Sequence, residues 1–221
     1  MKPTLHYALY CPGARACIIT AKLIGLDLEL KYVDLAKKEH LSEEFLKLNP
    51  MHTIPTLVDE GEAIWDSHAI MSYMVSKYAK DDSLYPKDLL KRARVDQRMH
   101  YENGILFPAF KDFVNRIKYG GETEYNPKSI EMVHNAYEFL EKFLENDFVV
   151  GNTMTIADIS IHTVAITLKK IVPIESERYP KITAWLKRMK SLPDNEEINE
   201  KGAEELYSII ASALAHNKAK V

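Results

Sequence analysis

"HTIPTLVDEGEAIWDSHAIMSYMVSKYA" occupies residues 52–79 and contains the clearest structural signals in the chain. Two apolar runs, "TIPTLVD" and "EAIWD", are separated by the turn residues Glu60 and Gly61, a pattern that predicts a β-hairpin. Asp66 and Ser67 then offer a cap for a helix in "HAIMSYMVSKYA". We therefore predict two antiparallel strands followed directly by a helix.

The residues before this segment complete an α/β unit. Their periodicity predicts a strand in "TLHYALY" (4–10), a helix that begins at Pro12 and stops near Gly25, a strand in "LELKYVDL" (28–35) and a short helix in "SEEFLKL" (42–48). Because proline is well placed at the first position of a helix, Cys11 becomes the N-cap residue. Residues 1–80 are thus predicted to form one α/β domain in the order strand–helix–strand–helix–strand–strand–helix.

The second half of the chain contains only helical patterns. Residues 81–88, within the polar stretch "KDDSLYPKD", have the composition of a linker. Beyond them, the spacing of apolar residues predicts helices over 89–118, 127–145, 155–171, 179–192 and 202–216. Residues 155–171 are apolar almost all round, which predicts a buried helix. We therefore expect residues 89–221 to form a second, all-α domain.

The composition excludes several classes of partner. The net charge is −3, from 29 basic and 32 acidic residues, so no basic surplus is available to neutralise nucleic-acid phosphates. No apolar run is long enough to span a membrane, and the N-terminus lacks the pattern of a secretory signal. Two cysteines are too few for a disulfide scaffold. A reducing compartment, the cytoplasm, is therefore expected.

Cys11 is the first candidate for chemistry. At a helix N-cap its sulfur would face unpaired N–H groups and the positive end of the helix dipole, a position that can lower the pKa of cysteine from about 8.5 to about 3.5–7.5. The other interpretation is a buried structural thiol, since free cysteine is among the most buried residue types. We favour the functional interpretation. Cys17 lies about 9 Å further along the helix, too far for a disulfide, and is interpreted as part of the core.

The Ile54–Pro55 step, at the start of a strand, is the second candidate. Proline cannot donate to the hydrogen-bond ladder at its own position. A cis bond there would leave the backbone of Ile54 free to pair with an extended peptide ligand, whereas a trans bond would make an ordinary edge strand. The residues alone do not distinguish the two. His52 beside it could bind a carboxylate or could simply be exposed.

Asp66 and Ser67 form the third candidate. The N–H groups at the start of their helix suit a bound carboxylate, and the Asp66 side chain suits an ammonium group, although helix capping alone would explain both residues. Thr155 and Asp158 are interpreted as a capping pair and not as catalytic residues. The eight histidines show no metal-ligand spacing, so no metal site is predicted.

These features, in this order, resemble the cytosolic glutathione transferases. The segment "LNPMHTIPTLVDEGEAIWDSHAIMSYMVSKYAKDDSLYPKD" (48–88) is similar to the insect epsilon class, with the delta class next, and "NTMTIADISI" (152–161) resembles an N-capping element of the family. The resemblance covers nearly the whole chain. It implies a thioredoxin-like N-terminal domain followed by an all-α domain. It also implies a homodimeric enzyme that conjugates reduced glutathione to hydrophobic electrophiles in the detoxification of xenobiotics.

The resemblance implies a glutathione site as well. His52 would hold the glycine carboxylate, and Ile54, ahead of a cis Pro55, would pair its backbone with the cysteinyl unit. Asp66 and Ser67 would bind the γ-glutamyl ammonium and carboxylate groups. The other residues implied for this site are Thr53, His40 and His68. The candidate walls of the electrophile site are Phe107, Lys111, Phe113, Asn115 and Leu206.

One position departs from the epsilon pattern. Epsilon enzymes carry a serine before the proline, whose hydroxyl donates a hydrogen bond to the glutathione sulfur, and here Cys11 aligns with it. A neutral thiol donates weakly, whereas an ionised Cys11 would repel a second thiolate. An ionised Cys11 could instead form a mixed disulfide with glutathione, as omega-like members do in thiol transfer. Three functions therefore remain open: conjugation, which the whole-chain similarity favours, thiol transfer through Cys11, and non-catalytic carriage of hydrophobic ligands.

Overall fold

The N-terminal part of the chain forms a mixed four-stranded sheet. In the computed structural model, which describes residues 2–220, the strands are β1 (Thr4–Tyr7), β2 (Glu29–Tyr32), β3 (Thr56–Asp59) and β4 (Glu62–Trp65). Their spatial order is β2-β1-β3-β4, with β1 parallel to β2 and the other pairs antiparallel. Leu5 on β1 pairs with Leu57 on β3, and both side chains are fully buried. The predicted α/β class and the predicted β3–β4 hairpin are confirmed.

The helices α1 (Pro12–Leu23), α2 (Glu43–Leu48) and α3 (Ser67–Tyr78) accompany this sheet. The first predicted strand is shorter than expected, because the backbone turns after Tyr7 and the Cys11 N–H donates to the Ala8 carbonyl at 3.0 Å. Cys11 is the N-cap of α1, as predicted. Cys17 is fully buried in the core, also as predicted.

The rest of the described chain is helical. The helices are α4 (Leu89–Tyr101), α5 (Phe107–Val114), α6 (Pro127–Phe143), α7 (Ile156–Leu168), α8 (Pro180–Met189) and α9 (Lys201–Lys218). Helix α7 is buried along its whole length and packs against α1, α4 and α9, so the prediction of a buried helix here is confirmed. The contact between α1 and α7 joins the sheet-containing part to the helical part.

The predicted single helix over 89–118 is wrong in one respect. Wide π-helical turns at Glu102–Leu106 and Asn115–Tyr119 flank α5. Pro108 has no N–H to donate to the carbonyl four residues earlier, so a wider turn before it accommodates the missing hydrogen bond. These turns rotate the following side chains away from the positions that one continuous helix would give them.

Asp158 is the polar centre of the helical part. Its buried carboxylate accepts hydrogen bonds from the Thr155 N–H at 2.9 Å, from the Val149 N–H at 2.9 Å and from the Trp185 indole N–H at 3.1 Å. The predicted capping box of Thr155 and Asp158 is confirmed. Among residues 2–220, no helix is both long and apolar enough to cross a membrane.

Candidate functional site

A cavity of about 630 Å³ lies between the sheet-containing part and the helical part. Its first side is formed by the start of α1, the loop before β3 and the start of α3, and its second side by α5, α7 and the two π-helical turns. This volume is in the range of small-molecule binding sites. The cavity brings together Cys11, His52, Ile54 and Ser67, which are distant in sequence.

Cys11 lines the first side of the cavity and is half-buried. Its Sγ donates a hydrogen bond to the Ile54 carbonyl at 3.4 Å. Burial raises the pKa of the Cys11 thiol, and the N–H groups of Ala14 and Gly13 and the charge of Arg15 only partly oppose this. The lowering of the pKa that a helix N-cap can produce is therefore outweighed here by the loss of solvation. Cys11 is a neutral thiol at neutral pH.

The loop before β3 is fixed by Asn49. Its fully buried side-chain amide donates to the Thr53 carbonyl and to the Thr56 hydroxyl, both at 3.0 Å. The Ile54–Pro55 bond is cis, which confirms the prediction drawn from the resemblance. Ile54 precedes β3, so its backbone groups take no part in the hydrogen bonds between β1 and β3. His52 has a φ of 48°, a left-handed conformation that is uncommon for residues other than glycine and is frequent at functional sites.

The start of α3 carries Asp66 and Ser67. Asp66 Oδ1 accepts hydrogen bonds from the N–H groups of His68 at 2.9 Å and of Ala69 at 3.2 Å, so Asp66 does cap the helix. Its φ of 73° is again in the left-handed region. Ser67 lies against α1, where a Cβ on Gly13 would stand only 2.9 Å from its Oγ. Gly13 therefore permits the close approach of the two helix N-termini, a requirement that no sequence pattern predicted.

Two histidines lie close together in the wall of the cavity. The ring centroids of His40 and His52 are 6.1 Å apart, and both residues line the cavity together with Thr53. Burial lowers the pKa of His40, and the neighbouring His52 lowers it further. An anionic group placed between the rings would reverse this effect.

His68 occupies a different place from the one the resemblance implies. Its Nε2 lies 2.8 Å from Glu102 Oε2 and 2.8 Å from Ser160 Oγ, so its ring points to the helical part and does not line the cavity. Glu102 is buried in the first π-helical turn. The contact between His68 and Glu102 connects the start of α3 to the second side of the cavity and holds Asp66 and Ser67 in place.

The candidate walls of the electrophile site separate into two groups. Phe107 and Lys111 line the cavity, since residues four apart share one face of a helix. Phe113, Asn115 and Leu206 do not line it. Phe113 points to the opposite side of α5 and packs on Tyr125, Leu206 is buried in the core, and Asn115 is exposed.

Several cavity residues were not found from the sequence. They are Gly13, Leu35, Met51, Trp65, Glu102, Asn103, Tyr119, Ser160, Thr163 and Val164. Tyr119 lies at the end of the second π-helical turn, which no sequence pattern predicted. Among residues 2–220, no three acidic, histidine or cysteine side chains converge in a way that could hold a metal ion.

Comparison with known proteins gives a consistent result. Residues 10–77 match the family model "Glutathione S-transferase, N-terminal domain", and residues 95–193 match "Glutathione S-transferase, C-terminal domain". Glutathione S-transferase 1 of Manduca sexta is 42% identical over 217 residues, which cover 97% of this chain and 100% of that protein.

Solved structures agree with the sequence comparisons. An epsilon-class glutathione S-transferase from the housefly, Musca domestica, superposes with a TM-score of 0.93 at 47% identity, covering 96% of this chain and 98% of that one. A glutathione transferase homologue from Drosophila mojavensis, solved with bound glutathione, has a TM-score of 0.92 at 43% identity and covers 96% and 97% of the two chains. With these similarities along nearly its whole length, the chain belongs to the glutathione S-transferase family.

Proposed function

We propose that this transferase binds glutathione along the first side of the cavity and conjugates it to a hydrophobic electrophile held against the second side. The observation that carries the proposal is the convergence of Cys11, Ile54, His52, Asp66 and Ser67 in one cavity. Each presents a chemical group that matches one part of glutathione.

Glutathione is placed by its charged ends. Asp66 has its Oδ2 free of the helix N–H groups that bind Oδ1, so this oxygen can accept the γ-glutamyl ammonium while Ser67 binds the carboxylate. His52, with His40 beside it, holds the glycine carboxylate. Thr53 and Ile54 pair their backbone with the peptide between the two ends, which brings the sulfur to Cys11.

Cys11 acts as a hydrogen-bond donor to the glutathione sulfur. Its raised pKa supports this role and argues against a nucleophilic thiolate, because a neutral thiol neither attacks a disulfide nor repels a second thiolate. Its hydrogen, which now points to the Ile54 carbonyl, can turn to a bound sulfur when glutathione arrives.

The proposed second substrate is a hydrophobic electrophile. The side chains of Phe107, Tyr119 and Val164 offer apolar contact on the second side of the cavity, and Lys111 stands among them as a cation. Apolar walls with few polar groups select ligands by shape and apolar area.

The organisation of the chain follows the same proposal. Residues 1–80 form the glutathione-binding domain, 81–88 the linker and 89–221 the domain that contributes the electrophile site, with Met1 and Val221 outside the described residues. The family resemblance supports a homodimer, which sedimentation would test, and the scarcity of cysteines supports the cytoplasm.

The Cys11→Ser variant tests the role of Cys11. Serine has nearly the same volume, so packing changes little, and its hydroxyl is a stronger donor to the sulfur. We expect the rate of conjugation to be kept or raised by up to about tenfold, the equivalent of about 1.4 kcal/mol of better thiolate stabilisation. The measurement is the steady-state conjugation rate with a chlorinated nitroaromatic electrophile, beside the intact mass after incubation with oxidised glutathione.

A matched control is Cys17→Ala, which removes the buried thiol and should leave both readouts as in the wild type. Uptake of one glutathione by the native protein, together with loss of its only activity in Cys11→Ser, would show that the enzyme is a thiol transferase instead.

The two histidines predict a pH dependence of binding. In the free protein the pKa of His40 lies below its ordinary value. A bound carboxylate stabilises the protonated ring and raises this pKa, so His40 takes up a proton when the ligand binds. The affinity for S-methylglutathione, which has no titrating thiol, should therefore tighten by up to about tenfold as the pH falls from about 8 to about 6. Calorimetry would measure this, and His40→Asn should remove most of the effect. Equal affinity at both pH values would refute the placement of the glycine carboxylate.

A further inference from the structure

The second π-helical turn, Asn115–Tyr119, is closed by a side chain from the far end of the chain. Carbonyl groups at the end of a helix have no partner within the helix and need another donor. The Arg116 carbonyl accepts the N–H of Glu122 at 3.1 Å. The next carbonyl, that of Ile117, accepts a hydrogen bond from the side-chain amide of Asn217 at 2.8 Å. Asn217 therefore completes the end of this turn.

The same amide also holds the residues that follow the turn. Asn217 Nδ2 donates to the Glu122 carbonyl at 2.9 Å, in addition to the Ile117 carbonyl. Between these two acceptors, Gly121 has a φ of 72°, a left-handed conformation that often ends a helix. One side chain thus ties both ends of residues 117–122, and Tyr119 lies inside this segment.

Helix α9 gives Asn217 a fixed support. Leu206 and Ile210 of this helix are buried, and residues 206, 210 and 217 differ by four and seven positions, so they share one face. Asn217 lies at the end of that face and is half-buried. Because α9 packs against α1 and α7, the tie joins residues 117–122 to the body of the protein.

Tyr119 depends on the backbone of this segment for its place. It lines the cavity, yet its side chain is largely free of packing, with 74% of the residue exposed. The Nζ of Lys118 lies 5.6 Å from the centre of the Tyr119 ring, and a cation–π contact at an exposed site is weak. The turn, and not contacts of the ring itself, therefore sets where Tyr119 stands in the cavity wall.

A second contact on the same segment is weaker. Arg116 Nη1 donates to Glu122 Oε1 at 2.8 Å, and Arg116 Nε donates to Asp112 Oδ2 at 2.8 Å. These groups are partly exposed, and ion pairs in contact with solvent contribute little. The amide of Asn217, which binds two main-chain carbonyls, is therefore the contact that we expect to fix residues 117–122.

We propose that Asn217 is a positioning residue that holds Tyr119 in the cavity wall and thereby sets which electrophiles the second side of the cavity accepts. Asn217 itself does not line the cavity, so it acts through Tyr119 and not by touching the substrate. The inference rests on the proposed function. It extends that function by assigning a specificity role to the end of α9.

The first test is Asn217→Asp, which keeps the shape of the side chain and loses both N–H donors, with Asn217→Ala as an uncharged second variant. The probe electrophile is a chlorinated dinitrobenzene that carries a phenyl group. We expect its KM to rise by about three- to tenfold in both variants, while the KM for glutathione stays within about twofold of the wild type. The matched control is His216→Ala, an exposed neighbour on α9, which should change neither KM.

The second test asks whether Asn217 acts through Tyr119. Tyr119→Ala should raise the KM for the same electrophile, and adding Asn217→Asp to Tyr119→Ala should raise it no further. Residues that act through one another give such non-additive effects, whereas a general loosening of the fold adds to the effect of Tyr119→Ala. Thermal unfolding of each variant records any loss of stability.

Hydrogen exchange gives a measurement that does not depend on catalysis. In Asn217→Asp without substrate, the backbone amides of residues 115–125 should exchange faster than in the wild type, because the tie to α9 is lost. The amides of α3 should exchange as before, since α3 lies on the first side of the cavity.

The outcomes separate this inference from the proposed function. An unchanged KM for the electrophile in both Asn217 variants, with glutathione still bound, would overturn the role of Asn217 alone. Additive effects in the double variant, or an unchanged KM in Tyr119→Ala, would also overturn it. A wild-type protein that binds no glutathione in this cavity would refute the proposed function, and the exchange of residues 115–125 would still show whether Asn217 holds the segment.

Discussion

Replacement of Asp66 by alanine is expected to weaken glutathione binding by about ten- to a hundredfold. The γ-glutamyl ammonium would lose its carboxylate partner, at a cost of about 1.5–3 kcal/mol. The same change removes the acceptor of the His68 and Ala69 N–H groups, so the start of α3 would also lose its cap. Calorimetric titration with glutathione measures the effect.

Asp66→Asn separates the two contributions. Asparagine keeps a side-chain oxygen for the cap and tolerates the positive φ of this position, but it carries no charge. We expect its thermal stability to stay near that of the wild type while its affinity for glutathione falls nearly as far as in Asp66→Ala. Unchanged affinity in both variants would refute the placement of the ammonium group.

Asp158→Ala should cause the largest loss of stability of any change considered. The buried N–H groups of Val149, Thr155 and Trp185 would all lose their acceptor, and a cavity would replace the carboxylate. We expect the free energy of unfolding to fall by about 3–5 kcal/mol. Denaturant unfolding followed by tryptophan fluorescence measures this, because Trp185 is one of the three partners.

Asp158→Asn serves as the graded control, because the asparagine amide keeps one acceptor oxygen. We expect this variant to lose about half as much free energy of unfolding as Asp158→Ala. A loss below about 1 kcal/mol in Asp158→Ala would show that water or a neighbouring side chain satisfies these donors, and the interpretation of Asp158 as the polar centre would be wrong.

Much of the fold follows from local chemistry. Gly61 in its turn, the cap at Asp66, and Pro12 after Cys11 each act within a few residues, so their elements were predicted close to where they occur. The same residues, by resemblance, indicated the family that the comparisons confirm. The first side of the cavity is built largely from these segments, which is why Cys11, Ile54 and Ser67 could be named in advance.

The second side was harder to predict because its geometry is not local. The wide turn before Pro108 and the turn that ends at Tyr119 change which faces of the helices meet the cavity. Phe113 and Asn115, which the resemblance implied as walls, do not line it. The direction of the Cys11 pKa shift could likewise not be predicted, because the Ile54 loop, whose carbonyl accepts a hydrogen bond from the Cys11 sulfur, is distant in sequence from Cys11.

The central claim is that Cys11 meets the glutathione sulfur as a non-covalent partner inside this cavity. A crystal structure of the native protein grown with reduced glutathione tests it most directly. The account predicts the γ-glutamyl end at Asp66 and Ser67, the glycine carboxylate at His52, and the two sulfur atoms in contact but unbonded. Glutathione elsewhere in the protein, or a sulfur–sulfur distance of about 2.05 Å to Cys11, the length of a disulfide, would contradict it.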